Sequence, residues 1–187
     1  MLDKEKLKKN ILFAGLILGF VLIDQISKMI IRANVSYLGF IEVIPNFFYL
    51  TYSLNYGALN GSLQHARLFL ILITVIALAF FVFLSKNIDF KKKRLGTWGL
   101  LLVISGTIGN FIDRLFFGGG VTDFLMFYPF TKGHDWFLGN IFSFDPFPTF
   151  NFADICLTIG VIMYLVYIIF FDKSDQKTHE EVIDGNN

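Results

Sequence analysis

Apolar residues fall into four blocks, each long enough to cross a bilayer, which takes about 20 helical residues. The blocks are Ile11–Ile31, Leu68–Leu84, Leu95–Ile112 and Asn151–Phe171. The second, LFLILITVIALAFFVFL, carries no charge, whereas the first is interrupted by Asp24 and Lys28. After the first block, FIEVIPNFFYLTYSL alternates roughly and is rich in Phe, Tyr, Ile and Val, which reads as strand. The stretch Asp113–Phe150 is rich in Gly and Phe, with GGG at 118–120. Its FYPF and DWF clusters suit the headgroup zone of a membrane. The pattern predicts an all-α membrane protein: one unit over 1–171 with four transmembrane helices and a strand-like segment outside them. The polar, acidic stretch 172–187 predicts a disordered tail.

Basic residues give these spans a direction. Lys4, Lys6, Lys8 and Lys9 precede the first span, Lys86, Lys91, Lys92, Lys93 and Arg94 follow the second, and Lys173 and Lys177 follow the fourth. The opposite side has Arg32, Arg67, Arg114 and Lys132, with none between Ala33 and Ala66. The excess of Lys and Arg on one side predicts that both termini are cytoplasmic. KEKLKKN followed by apolar residues also looks like a signal peptide, but no small-residue cleavage site follows it, so an uncleaved first span is expected.

Composition narrows the function classes. Hydrophobic residues make up 55% of the chain and the mean hydropathy is +0.61, above what soluble domains carry. A net charge of +1 argues against nucleic acid as a partner. Cys156 is the one cysteine, inside an apolar run, so the chain cannot form an internal disulfide. His65, His134 and His179 are far apart and make no metal-ligand spacing, so no metal is expected.

Depth gives the polar residues meaning. At about 1.5 Å per residue, Asp24 stands ~20 Å up the first span and Lys28 one turn higher. Asn110 stands ~22 Å up the third span, with Asp113 and Arg114 above it. Asp154 lies ~5 Å below the outer start of the fourth span at Asn151. Each placement has an ordinary explanation. Asp24 and Lys28 can simply pair four residues apart, Asp113 and Arg114 can be a helix-end charge and a snorkelling anchor, and Asn151 can be an N-cap supported by Asp154. Three spans nevertheless bring polar groups to one layer just under the outer surface. Ionisable groups inside a membrane cost about 2.5–3.5 kcal/mol each on insertion scales and point to function.

Short motifs surround that layer. NYGA is Asn55–Ala58, GNFIDR is Gly109–Arg114, VTDF is Val121–Phe124 and FNFAD is Phe150–Asp154. Asn110 shares a helical face with Asp113 and Arg114, and Asn151 shares one with Asp154. VTDF is reached through the flexible Gly118–Gly120 and reads as part of a loop.

With Asp24 and Lys28 in D-x-x-x-K spacing, the chain resembles the lipoprotein signal peptidases, or signal peptidase II. These are membrane aspartyl proteases with four spans, cytoplasmic termini and the motifs D-x-x-x-K, N-x-G-A, G-N-x-x-D-R, V-x-D-F and F-N-x-A-D in that order. The likeness covers roughly residues 10–171. It implies that Asp123 and Asp154 are the catalytic pair. It further implies that Asn55, Gly57, Asn110, Asp113, Arg114 and Asn151 shape the site or bind substrate, and that Asp24 and Lys28 support it. It implies a small extracytoplasmic β-rich cradle and a surface helix. It places the protein in the bacterial cytoplasmic membrane with its active site near the extracytoplasmic face, working without a cofactor and as a monomer. The implied substrates are signal peptides of diacylglyceryl-modified prolipoproteins, cut just before the lipidated cysteine, with membrane lipid as the other partner. The connection between Asp123 and Asp154, 30 aromatic-rich residues, is longer than the family pattern suggests. It holds rival carboxylates at Asp135 and Asp145, which lack motif context and read as solvated.

The chemistry suits the residues. Two neighbouring carboxylates titrate in coupled steps, so one keeps a proton while the other stays basic. The basic member can activate water and the acid can polarise a carbonyl. Arg114 would disturb this balance if it were too close, and is assigned to Asp113, to the substrate backbone or to a lipid headgroup. A small proton-coupled transporter or channel is the main alternative, but the second span and the lower fourth span offer no polar path. A scaffold would tolerate Asp→Asn changes. A serine–lysine protease on Ser27 and Lys28 fails because adjacent helical positions do not face each other. Cys156 lacks a nearby His and reads as core.

Overall fold

The computed structural model describes residues 4–57, 67–128 and 147–171. Ala58, His65, His134, Asp135, Asp145, His179 and the 172–187 tail lie outside the described residues. Four helices, α1 (Lys4–Asn34), α2 (Arg67–Leu84), α3 (Arg94–Phe116) and α4 (Phe152–Phe170), are each long and apolar enough to cross a membrane. The helices α1, α2 and α3 extend past their apolar blocks, helped by flanking Lys and Arg, which are good helix formers, while α4 stays within its block. The extension changes the reading of three cations. Arg32, Arg67 and Arg114, which stand just outside the apolar blocks, lie in α1, α2 and α3.

Helix α3 is the hub. Of its most apolar window 67% is buried, against 0% for α2, whose faces are left to lipid. Close approach of α3 to α4 explains the difference. A Cβ on Gly99 would sit 2.8 Å from the Tyr164 backbone N, and one on Gly160 would sit 2.8 Å from the Gly99 carbonyl. Small residues at such crossings let backbones pack where lipid supplies no hydrophobic drive. Phe13, Leu100, Leu101 and Ile104 form a core between α1 and α3. Cys156 is buried in α4.

A three-stranded antiparallel sheet, β1 (Phe40–Ile44), β2 (Phe48–Asn55) and β3 (Val121–Phe127), stands at one end of the bundle. The first two strands arise from the alternating, aromatic segment recognised in the sequence. The third corrects the loop reading of VTDF. Gly118 (φ 68°) and Gly119 (φ 90°) turn the chain out of α3 in a conformation that favours glycine. The β-branched and aromatic run that follows then pairs with β2, setting Asp123 opposite Ser53 and Val121 opposite Asn55. Leu125 and Phe150 exchange backbone hydrogen bonds of 2.8 and 3.1 Å, so the strand carrying Asp123 also fixes the entry to α4. The surface helix implied by the resemblance is not among the described residues.

The other end of the bundle is tied separately. Lys9 Nζ donates to Asp89 Oδ2 at 2.9 Å, joining the start of α1 to the α2–α3 connection. The Lys9 bond and the backbone N–H groups of Lys92 and Lys91 hold the Asp89 carboxyl well below the usual carboxylate range. The basic clusters at 4–9 and 86–94 therefore share one end, and the sheet occupies the opposite one.

Candidate active site

The first turn of α4 sets the geometry. Asn151 is its N-cap: its side-chain oxygen accepts from Asp154 N at 3.1 Å, and Asp154 Oδ2 accepts from Asn151 N at 3.1 Å. This reciprocal box uses backbone donors that a helix start leaves unpaired. Asp24 on α1 takes another, accepting from Ala153 N at 3.0 Å. The capping explanation for Asn151 is thus correct, and it is incomplete. The amide nitrogen of Asn151 donates to Asp123 Oδ1 at 2.7 Å and to Asn110 Oδ1 at 3.2 Å.

Asp123 and Asp154 are joined through these amides. Asp123 Oδ2 accepts from Asn55 Nδ2 at 3.0 Å, and Asp154 Oδ1 accepts from Asn110 Nδ2 at 2.8 Å. Every oxygen of the pair is therefore held by an N–H donor. The amides are themselves oriented. Lys28 Nζ, which can only donate, points at Asn110 Oδ1 at 3.0 Å and so turns Nδ2 toward Asp154. Gly57 N donates to Asn55 Oδ1 at 2.9 Å, turning the other amide toward Asp123. Gly57 has φ 85°, and a Cβ there would meet Leu70 Cδ1 at 2.6 Å, so the turn depends on glycine.

A buried, charge-balanced cluster lies behind the pair. Lys28 is completely buried and bonds Asp24 at 2.9 Å and Asp113 at 3.5 Å. Asp113 also accepts from Arg32 Nη2 at 2.9 Å, from Gln25 at 3.3 Å and from Thr122 N at 2.8 Å. Arg32 Nε reaches Thr122 Oγ1 at 2.9 Å, and its guanidinium lies 3.6 Å from the Phe117 ring centroid. Gln25 additionally donates to Asp24 and to the Gly109 carbonyl, both at 3.0 Å. Among the described residues no buried side-chain polar atom lacks a partner. The network is therefore closed, as a rigid buried polar site requires.

Two assignments change. Asp113 does not pair with Arg114, because neighbours on a helix point about 100° apart; Arg32 and Lys28 hold it instead. Arg114 is half-buried and, among the described residues, its side chain makes one long hydrogen bond of 3.5 Å, donated to the Asn110 carbonyl one turn below. Arg32, Gln25 and Thr122 were missed as site residues. The signal for Arg32 was its position four residues beyond Lys28 and eight beyond Asp24, on the same helical stripe.

Asp123, on its strand, is 1% exposed. Burial first, and the Asp154 charge second, push its carboxyl up to about 7, against the opposing pull of the Asn55 and Asn151 hydrogen bonds. One acid is thus poised to hold a proton near neutrality beside a second carboxylate.

Residues 16–170 match the family model described as Signal peptidase (SPase) II. The chain belongs to the signal peptidase II family. Two relatives called lipoprotein signal peptidase agree. That of Symbiobacterium thermophilum is 33% identical over 153 residues, covering 82% of this chain and 91% of the relative. That of Borreliella afzelii is 36% identical over 166 residues, covering 84% and 89%. Two solved structures described as bacterial membrane enzymes superpose with a TM-score of 0.68 at 31% identity. They cover 87% and 86% of this chain and 90% and 93% of their own. A signal peptidase II fold thus accounts for four apolar helices combined with a small sheet at one end.

Proposed function

We propose that the protein is an aspartic endopeptidase that removes signal peptides from diacylglyceryl-modified prolipoproteins, cleaving just before the lipidated cysteine. The observation that carries this reading is the junction of Asp123 and Asp154 through Asn151 and Asn110. Asp123, buried and proton-holding near pH 7, is the acid. Asp154, half-buried at the start of α4 with its oxygens facing N–H donors, is the base, because a helix N-terminus favours a negative charge.

In the first step Asp154 takes a proton from water, and the water oxygen bonds to the scissile carbonyl carbon while Asp123 gives its proton to the carbonyl oxygen. In the second, the C–N bond breaks, the leaving nitrogen takes the proton from Asp154, and the reforming carbonyl returns a proton to Asp123. No cofactor enters either step. Arg114, free of Asp113 and beside the pair, binds the substrate backbone or lipid headgroup. Asp24, Lys28, Asn55, Gly57, Asn110, Asp113 and Asn151 shape the site.

The basic end of the bundle faces the cytoplasm by the charge rule, so the sheet and the pair stand near the extracytoplasmic face of a bacterial cytoplasmic membrane. There the acyl chains of the substrate stay in lipid while its peptide reaches the carboxylates. A proton-coupled transporter is disfavoured because α2 carries no charged residue between Leu68 and Leu84. A gel-shift assay with a diacylated precursor tests the mechanism. Asp123→Asn and Asp154→Asn are each expected to abolish processing while still inserting, and full activity of either variant removes that residue from the reaction.

A further inference from the structure

A second site lies at the basic end of the bundle, away from the carboxylates. A groove of about 560 Å³ runs between α1 and α3, lined by Leu12, Leu16, Phe90, Lys91, Arg94 and Trp98. Its volume falls in the range of ligand pockets, about 300–1,000 Å³. Its polarity is graded along both walls. On α3, Arg94 stands at the helix start and Trp98 one turn deeper; on α1, Lys8, Leu12 and Leu16 follow one another at four-residue spacing. Cations thus occupy the shallow rim and apolar groups the deep part. Phe90 closes the groove from the connection, packed on Phe13 and edge-on to Trp98 with ring centroids 6.3 and 6.0 Å apart.

Lys8 pairs with Glu5 at 3.5 Å, but the two cations that line the groove, Lys91 and Arg94, are uncommitted. The side chains of Lys91 and Arg94 have no hydrogen bond or ion pair among the described residues, whereas Lys9 is tied to Asp89. The described acids at this end are Glu5 and Asp89, set against Lys4, Lys6, Lys8, Lys9, Lys86, Lys91, Lys92, Lys93 and Arg94.

We propose that this groove binds an anionic phospholipid, with its phosphate between Lys91 and Arg94 and an acyl chain along Trp98, Leu12 and Leu16. The charge selects the headgroup and the graded walls select a tethered hydrocarbon chain over a free anion. Basic pockets between spans are suited to such lipids, and each surface cation contributes attraction of comparable size.

Native mass spectrometry of the full-length protein, released from detergent with added phosphatidylglycerol, tests the site. Phosphatidylcholine of the same acyl chains and inorganic phosphate serve as comparison ligands. Retention of phosphatidylglycerol alone is expected. It should fall roughly tenfold or more in the double variant Lys91→Gln/Arg94→Gln, but not after the same charge loss at Lys4 and Lys92. Leu16→Trp, which fills the deep part, should also reduce it, and circular dichroism of each variant should keep the parent helix content. Equal retention of phosphatidylcholine, or equal loss from both charge pairs, overturns the site in favour of unspecific adhesion. Retained inorganic phosphate overturns the role of the acyl chain. None of these readings depends on proteolysis.

Discussion

Asn151 donates its amide to Asp123 at 2.7 Å while the oxygen of the same amide caps the helix that carries Asp154. One side chain therefore sets both where α4 begins and how far its carboxylate stands from the strand. The two tasks separate by substitution. Asn151→Ser keeps a capping oxygen and loses the donor to Asp123, whereas Asn151→Ala loses both. Loss of the cap costs about 0.5–2 kcal/mol, so the alanine variant is expected to melt earlier than the serine variant. Both should lose roughly ten- to a hundredfold in kcat, the scale of a hydrogen bond to a charged group. A serine variant with parental kcat in the precursor assay would limit Asn151 to capping.

The raised carboxyl of Asp123 predicts a pH dependence of stability with a definite sign. Its folded-state value, about 7, lies above the ordinary 3.8, so the folded state binds this proton more tightly than the unfolded chain does. The resulting stability is complete below about 3.8 and is lost as pH rises through about 7. Thermal unfolding in detergent between pH 4 and 8 should show this decline in the parent protein and a flatter profile in Asp123→Asn. Asp154→Asn removes the charge that helps raise Asp123 and should move the decline to lower pH. An unchanged profile in Asp123→Asn would assign the decline to other groups.

Arg32 reaches Asp123 only through its neighbour in the strand. Its guanidinium spans Asp113 Oδ1 and Thr122 Oγ1, both at 2.9 Å, and Thr122 N closes the triangle on Asp113 Oδ2. A lysine cannot reproduce this fork. Arg32→Lys and Thr122→Val are therefore each expected to lower kcat several-fold with little change in KM, since Thr122 is fully buried and the Arg32 guanidinium is turned to Asp113 and Thr122. Combined, they should cost less than the product of the single effects, because they break one shared contact. Fully multiplicative losses would mean that the two residues act apart.

The sequence made some of this legible and hid the rest for physical reasons. Apolar runs and alternation are local, so the four helices and the β1–β2 segment could be read directly. Pairing at four-residue spacing is also local, and Asp24–Lys28 is found at 2.9 Å. The partner of Asp113 was not local: Arg32 stands 81 positions away and meets it only because α1 and α3 pack side by side. Asn55 was placed in the site by motif alone. Its contact with Asp123 depends on the β2–β3 register, which shifts between Leu50 and Ser53. VTDF looked like a loop because the glycines before it mask a strand whose pairing partner lies more than 60 residues upstream.

Lys28 offers the sharpest test of the buried cluster. It is fully buried among Asp24, Asp113 and Asn110, at 2.9, 3.5 and 3.0 Å. Removing it leaves two carboxylates in a closed space with Arg32 as the remaining cation. Breaking a buried ion pair from one side costs about 3–5 kcal/mol, because the partner charge stays behind. Lys28→Met, which keeps the volume of the stem, should therefore lower the unfolding temperature strongly. Lys28→Met/Asp24→Asn removes one of the stranded charges and should recover part of that loss. Activity is expected to separate from stability in the double variant. Asn110 would no longer have a cation holding its oxygen away from Asp154, so kcat should remain depressed after the unfolding temperature recovers. Parallel recovery of both would show that Lys28 supports only the fold, and that the orientation of Asn110 is set by Asn151 alone.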